Sequence, residues 1–136
     1  MIGIDTNVLV RFFVKDDVVQ LEAARRCLQS ECTVQSPGFV NRVVLCEFVW
    51  VLSRVYRIER DQVAGVLDNI LHADSLTVEN EDLAEIALER YRNSDADFAD
   101  CMIALTNERR GCDLTRTFDH KAVSALAQFA LVPVGA

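Results

Sequence analysis

Four acidic residues stand where the neighbouring sequence is otherwise apolar. Asp5 ends the apolar start of the chain, Glu47 lies within VVLCEFVWVL, and Asp119 follows the strand-like segment LTRTF. Asp100 lies in DADFADCMIA, where the following apolar residues predict a helix that enters the core. An apolar setting disfavours an ionised carboxylate. The group therefore either has a raised pKa or requires a neutralising partner. The four positions therefore predict a site whose charges are balanced by another group.

The chemistry of such a site follows from its charge and its donor atoms. If the four carboxylates converge, their mutual repulsion requires divalent cations. Oxygen-only ligands suit Mg²⁺ or Mn²⁺, whereas zinc prefers histidine and cysteine. One ion would lower the pKa of a water that attacks phosphorus, and a second would stabilise the leaving oxygen. The pattern thus predicts metal-assisted hydrolysis of phosphodiester bonds.

Each acid also has a purely structural interpretation. Glu47 could pair with a neighbouring arginine on a narrow polar edge of its helix, and Asp119 could cap the helix that follows it. Asp95 and Asp97 suit the cap or first turn of a helix, where the helix dipole favours acids. Asp97 and Asp100 are three residues apart and share one helix face, but capping does not explain Asp100.

The segments that position these acids alternate between apolar runs and helical patterns. Strands are predicted over 2–5, 32–35, 76–78, 114–118 and 131–134, with a turn at 36–38. Helices are predicted over 6–14, 18–30, 41–57, 61–72, 81–91, 97–110 and 121–129. This alternation indicates a parallel sheet covered by helices on both faces. Ligands bind beyond the carboxyl ends of such strands, where Asp5 and Asp119 would lie.

Length and composition predict one soluble domain. The 136 residues, 51% of them hydrophobic, are enough for a core. No stretch approaches the roughly 18 apolar residues of a membrane span, and no basic region precedes the apolar start, so no membrane association and a cytoplasmic location are expected. Five cysteines without a Cys-x-x-Cys pair indicate reduced, mostly buried thiols. The net charge of −7 disfavours non-specific coating of DNA.

Four segments resemble, in order and spacing, the acidic motifs of PIN domains, most closely those of VapC-type toxins of toxin–antitoxin pairs. They are IDTNVLVRFF, VVLCEFVWVL, DADFADCMIA and TRTFDHKA. The resemblance covers essentially the whole chain and implies a single PIN domain over residues 1–136. It implies a three-layer α/β/α fold with a central parallel sheet of about five strands. It also implies a Mg²⁺-dependent endoribonuclease, with Mn²⁺ as the other candidate ion.

The resemblance implies a role for each polar position of the motifs. The acids expected to bind metal and act in catalysis are Asp5, Glu47, Asp100 and Asp119. The residues expected to support them are Thr6, Asn7, Asp97 and Thr117. Asp97 could be the direct metal ligand instead of Asp100. Asp100 is favoured, because the family's third acid directly precedes a small-residue and Ile-Ala pattern, which is seen here over 101–104. Arg116 is a candidate contact to the substrate.

Partners are implied in the same way. The substrate would be RNA, and a cognate antitoxin would hold the toxin, often with an arginine that competes with metal for the carboxylates. Homodimers are typical of the family. Trp50 is expected in the core or in a dimer interface, while Arg11 could contact phosphate or simply be exposed on a helix.

Two other functions are weighed against the ribonuclease. A phosphatase or phosphotransferase would use a strand-end aspartate as nucleophile, but such families usually place a second aspartate two residues on, where this chain has Asn7. A PIN-fold module that binds without catalysis is the remaining alternative. The complete set of four acids argues against it, because a scaffold without catalysis has no reason to keep costly carboxylates.

Overall fold

The computed structural model describes residues 1–135, in which seven α-helices and five short strands alternate. The strands are β1 (Ile2–Gly3), β2 (Gly38–Val40), β3 (Leu76–Val78), β4 (Thr115–Thr117) and β5 (Phe129–Leu131). The helices are α1 (Thr6–Phe13), α2 (Val18–Arg26), α3 (Arg42–Trp50), α4 (Arg60–Leu71), α5 (Glu81–Arg92), α6 (Phe98–Arg110) and α7 (His120–Ala125). Single π-helical turns extend α2 and α3 over Cys27–Glu31 and Val51–Val55. The predicted α/β class is confirmed.

Every strand pairing in this part of the chain is parallel, as predicted. β2 lies between β1 and β3, with Gly38 opposite Ile2 on one side and Leu76 on the other. β4 pairs with β5, with Thr115 opposite Phe129. The five strands thus form a three-stranded and a two-stranded sheet, whereas one sheet was expected. With only two residues, β1 offers few backbone groups for a ladder on its second edge.

The second strand lies later than predicted. Residues 32–35 form a loop, and β2 occupies the segment that was expected to begin with a turn. A Cβ at Gly38 would lie 2.7 Å from Cys32 Sγ and 3.0 Å from Ile4 Cγ1. Position 38 requires glycine because its backbone passes close to the side chains of Cys32 and Ile4, and not because the chain turns there.

The C-terminal elements also differ from the prediction. α7 ends at Ala125 and β5 begins at Phe129, whereas a helix was expected as far as residue 129 and a strand over 131–134. Gln128 is buried; its backbone carbonyl accepts from the Thr115 amide at 2.8 Å, and its Nε2 donates to the Cys112 carbonyl at 3.1 Å. These contacts with distant residues end the helix early.

The core lies between the three-stranded sheet and the helices that pack on it. Its largest fully buried side chains include Phe48 of α3, Leu67 of α4 and Phe98 of α6. Two apolar side chains within the predicted helices are exposed: Ile86 by 38% and Ile103 by 44%. Helical periodicity finds the apolar face but does not fix its edges, where these two side chains lie.

The end of each of the first four strands carries a polar residue. Asp5 follows β1, Asn41 follows β2, Glu79 follows β3, and Asp119 lies two residues after β4. Because the ends of parallel strands lie on one side of their sheet, polar groups collect there. No helix within residues 1–135 combines the length and the apolar character that a membrane crossing requires.

Candidate active site

The first residue of the candidate site is Asp5, which is the N-cap of α1. Its carboxylate accepts a hydrogen bond from the Thr6 amide at 2.8 Å, and its backbone is extended. The helix was predicted to begin at residue 6, and the aspartate before it is the cap because its short side chain reaches the free amides of the first turn. Asp5 is exposed, and it is Thr6 that is buried.

Thr6 and Asn7 differ in their surroundings. The Thr6 hydroxyl is buried and has no hydrogen-bond partner within residues 1–135. A buried hydroxyl without a partner is costly, so this atom is suited to a ligand that the chain does not itself supply. Asn7 is exposed. Both residues contribute to the same cleft as Asp5.

This cleft brings two of the predicted acids together. It has a volume of about 280 Å³ and lies between α1 and α3, where Asp5 and Glu47 both form part of its wall. Glu47 is exposed, although nine of the ten residues of its segment are apolar. It takes part in no salt bridge of the described chain. The alternative in which an arginine neutralises Glu47 is therefore not what the structure contains.

The remaining acids belong to the start of α6 and of α7. Asp97 is the residue before α6, and Asp100 lies in its first turn. Asp119 caps α7, accepting hydrogen bonds from the amides of Lys121 at 2.9 Å and Ala122 at 3.3 Å. The capping role weighed for Asp119 is thus present. It does not exclude a second role, because a carboxylate has two oxygens and only one is used here.

Asp97, Asp100 and Asp119 interact electrostatically. Burial raises the pKa of Asp100, and the charges of Asp97 and Asp119 raise it further, while Lys121 lowers it. Like charges that perturb one another in this way lie close enough to repel. A cation placed among them would relieve that repulsion.

Two basic side chains already balance one of these acids. Arg54 Nη2 lies 3.8 Å from Asp97 Oδ2, and Lys121 Nζ lies 3.9 Å from Asp97 Oδ1. Both cations are more than half exposed, so each pair is weak. Asp97 is thus partly neutralised, whereas Asp100 takes part in no salt bridge of the described chain.

Thr117 and Arg116 act on the backbone around β4. Thr117 Oγ1 accepts a hydrogen bond from the Asp119 amide at 3.0 Å, which helps to fix the position of that acid. Arg116 Nη1 donates to the Leu131 carbonyl at 2.7 Å and thereby ties β4 to β5. The predicted contact of Arg116 with substrate stays a prediction.

Two residues at the site escaped the sequence analysis. Lys121 lies two residues after Asp119, and that short separation was the signal that could have placed it beside the acids. Tyr56 lines the cleft with Asp5 and Glu47. It lies beyond the π-helical turn that ends α3, and no local pattern predicts where such a turn directs the chain.

The donor atoms fit a hard divalent cation. They are carboxylate and hydroxyl oxygens, and the unpartnered Thr6 hydroxyl lies in the wall of the cleft that holds Asp5 and Glu47. Residues 1–135 contain no group of three or more His, Cys, Asp or Glu side chains arranged to hold a metal ion. The convergence of all four acids on one ion therefore stays a prediction.

Comparisons with known proteins identify sequences related to this chain. The sequence profile of the family described as "PIN domain" matches residues 2–127. A protein named VapC ribonuclease from Aquifex aeolicus (strain VF5) is 24% identical over 108 residues, which is 79% of this chain and 79% of that protein. No solved structure matches the chain significantly.

Proposed function

Because the chain belongs to the PIN domain family, we propose that it is a Mg²⁺- or Mn²⁺-dependent endoribonuclease, the toxin of a toxin–antitoxin pair that acts in the cytoplasm. The similarity to a VapC ribonuclease supports the choice of RNA as substrate. The observation that carries the proposal is the cleft in which Asp5, Glu47 and the buried, unpartnered Thr6 hydroxyl lie together.

Each of the four motif acids has a proposed role at the metal. Asp5 and Glu47 would be the metal ligands of the cleft, and Asp100 and Asp119 would complete the set. A divalent cation bound there would supply a Lewis acid that lowers the pKa of water. In the reaction, the water oxygen would bond to phosphorus and release its proton to solvent, the bond from phosphorus to the leaving oxygen would break, and that oxygen would take up a proton from solvent.

The supporting residues keep these acids in position. Thr117 holds the backbone amide of Asp119, and Thr6 offers its hydroxyl to a ligand or water in the cleft. Asp97 pairs with Arg54 and Lys121 and so keeps two cations near the place where an RNA phosphate would approach. Arg116 uses only Nη1 to hold the Leu131 carbonyl, so its other nitrogens could contact the RNA while that bond is kept.

A cognate antitoxin is the proposed protein partner. The exposed acids Asp5 and Glu47 would accept a guanidinium, which competes with metal for the same oxygens. Blocking the cleft in this way would keep the ribonuclease inactive in its host.

A second copy of the chain is the other proposed partner, docking on an apolar face of α3 and α6. Val43 is 72% exposed, Trp50 59% and Ile103 44%. Between the two helices runs a groove of about 390 Å³ whose wall includes Val43, Cys46 and Ile103. In a two-fold dimer the exposed Trp50 of each copy would meet the apolar surface of the other, so the face is self-complementary. Trp50 is 59% exposed, so the expectation that it lies in the core is wrong, and the interface is the place proposed for it here.

Cleavage of a total-RNA pool tests the enzymatic proposal. The protein, freed of any co-purified partner, is incubated with Mg²⁺, with Mn²⁺ or with chelator, beside Asp5→Asn and Asp100→Asn. We expect discrete products that require metal and that both variants lose by at least about a hundredfold, since each removes a charged ligand. Millimolar Mg²⁺ should also raise the melting temperature by binding the native state.

Two results would contradict the proposal. Retained metal-dependent cleavage in Asp5→Asn would remove that residue from the site. Folded protein that cleaves no RNA under any of these conditions, with a melting curve that ignores both metals, would favour a PIN domain that binds without catalysis.

A further inference from the structure

One basic side chain lies in the wall of the Asp5–Glu47 cleft. Among the described residues that line it, Arg11 is the only lysine or arginine, and it shares the cleft with both carboxylates. An RNA phosphate that enters this cleft meets two negative charges. A positive group beside them therefore favours binding of the phosphate.

Arg11 is held at two of the three nitrogens of its guanidinium, Nε and Nη1. Its Nε donates to Gln20 Oε1 at 2.5 Å, and its Nη1 donates to Asp16 Oδ1 at 3.1 Å and to the Tyr56 hydroxyl at 3.2 Å. The Tyr56 hydroxyl donates in turn to Asp16 Oδ2 at 3.1 Å. These contacts join α1, the start of α2 and the end of α3.

The third nitrogen of the guanidinium is available. Arg11 Nη2 makes no hydrogen bond within residues 1–135, and the side chain is 32% exposed. An arginine whose planar fork is fixed by neighbours loses little conformational entropy when its free nitrogen binds an oxyanion. The anchoring contacts thus leave one preorganised donor nitrogen on a side chain that lines both this cleft and the neighbouring cleft between α1 and α2.

We propose that Arg11 forms a phosphate-binding subsite of the cleft, donating from Nη2 to a non-bridging oxygen of the RNA phosphate held beside Asp5 and Glu47. This role rests on the proposed ribonuclease function and adds a residue that positions the substrate. Tyr56 and Asp16 are positioning residues that act through Arg11. A purely structural role, in which Arg11 only ties α1 to α2, predicts no effect on RNA affinity.

The test compares Arg11→Gln with wild type and with Arg25→Gln. Arg25 is a matched control because it lies on α2, is exposed, and pairs only loosely with Glu22 at 3.7 Å. Binding of a fluorescein-labelled, mixed-sequence single-stranded RNA is measured in chelator over a series of salt concentrations, so that no cleavage occurs. Thermal melting of each variant reports its folding.

We expect Arg11→Gln to bind the RNA roughly tenfold more weakly, because a charge-assisted contact is lost. The slope of log K against log salt should become shallower by about 0.7, the value for one phosphate contact to a single strand. Arg25→Gln should match wild type in both respects. Arg11→Lys, which keeps the charge and loses the fork, should recover the slope but only part of the affinity.

The outcomes separate this subsite from the proposed function. If Arg11→Gln melts earlier but binds RNA with unchanged affinity and slope, Arg11 is structural and the subsite is wrong, while cleavage by wild type would leave the ribonuclease standing. If Arg11→Gln does not fold, unchanged binding by Arg11→Lys and by Tyr56→Phe would overturn the subsite. If wild type neither binds nor cleaves RNA, both proposals fail.

Discussion

At the scale of single residues, Asp100 is the acid whose surroundings disfavour the ionised form of its carboxyl. Burial raises its pKa first, followed by the charges of Asp97 and Asp119. The sequence indicated this position because Met102 and Leu105 follow it, and both are buried. An acid whose pKa is higher in the folded than in the unfolded chain favours unfolding once it ionises.

This argument predicts that Asp100→Asn raises the melting temperature of the metal-free protein at pH 7. A gain on the order of 2 °C is reasonable for a half-exposed group. The folded protein binds the proton more tightly, so the destabilisation appears as pH rises through the ordinary aspartate range and is complete above the raised pKa. The gain should therefore shrink as pH falls below about 3.9, the ordinary aspartate pKa, because the carboxyl becomes neutral in both states.

Thermal melts in chelator from pH 3 to pH 8 measure this effect. Asp95→Asn is the control, since Asp95 is an exposed acid of the same segment and should change the melting temperature little. A stability gain that persists unchanged at the lowest pH would show that charge is not its cause.

The free state of the five thiols agrees with the prediction from composition. All five cysteines are free. Burial raises the pKa of Cys46 and of Cys101 to about 11, so both stay protonated at neutral pH. Only Cys32 and Cys101 are fully buried, Cys27 and Cys46 are partly buried and Cys112 is exposed, so the thiols are less buried than expected.

At the scale of elements, the start of α6 is positioned by an arginine of α4. Arg60 Nη2 donates to the carbonyl of Tyr91 at 2.6 Å and to that of Ala96 at 2.5 Å. The guanidinium carbon also lies 3.7 Å from the centroid of the Tyr91 ring. One side chain thus fixes the connection from α5 to α6, immediately before Asp97, and no local pattern in the sequence predicts this link.

Replacing Arg60 with methionine should destabilise the fold and weaken cleavage together. Two carbonyls lose their donor, at a cost of about 2 kcal/mol, or a fall in melting temperature on the order of 5 °C. The acids at the start of α6 should then be held less precisely, which lowers kcat even at temperatures where the variant is folded.

Arg60→Lys is the matched variant, because it keeps the charge but cannot reach both carbonyls with a planar fork. It should lie between wild type and Arg60→Met in melting temperature. If Arg60→Met melts like wild type, the arginine does not fix the α5–α6 connection.

At the scale of the whole molecule, the apolar face of α3 and α6 predicts the oligomeric state. Ile103→Glu should convert a dimer to a monomer, since a charge in the centre of an apolar interface is not compensated. Val19→Glu is the control, because Val19 is 79% exposed on α2, away from this face. Sedimentation velocity at micromolar to hundred-micromolar protein measures both variants.

Trp50 provides an independent readout of the same event. It is the one tryptophan of the chain, so its emission should shift to longer wavelength as a dimer dissociates on dilution. Wild-type protein that sediments as a monomer at every concentration, with constant emission, would contradict docking of a second copy on this face.

The order of the helices and strands follows from local patterns that can be read directly from the sequence. Asn41 caps α3 by accepting from the Val44 amide at 2.8 Å, and Gly111 ends α6 with a φ of 96°, both at the predicted residues. β3 lies where it was predicted. These features depend on a few adjacent residues, so distant parts of the chain do not alter them.

The sequence by itself determined the α/β class, the parallel strands, the helix boundaries marked by caps, and the four acids that carry the family resemblance. Only the tertiary structure decided that β2 begins at Gly38, that Glu47 is exposed beside Asp5, and that Arg11 is anchored in their cleft. The physical reason is separation along the chain. Periodicity and capping act within one or two turns, whereas the cleft joins side chains tens of residues apart, whose distances are set by packing alone.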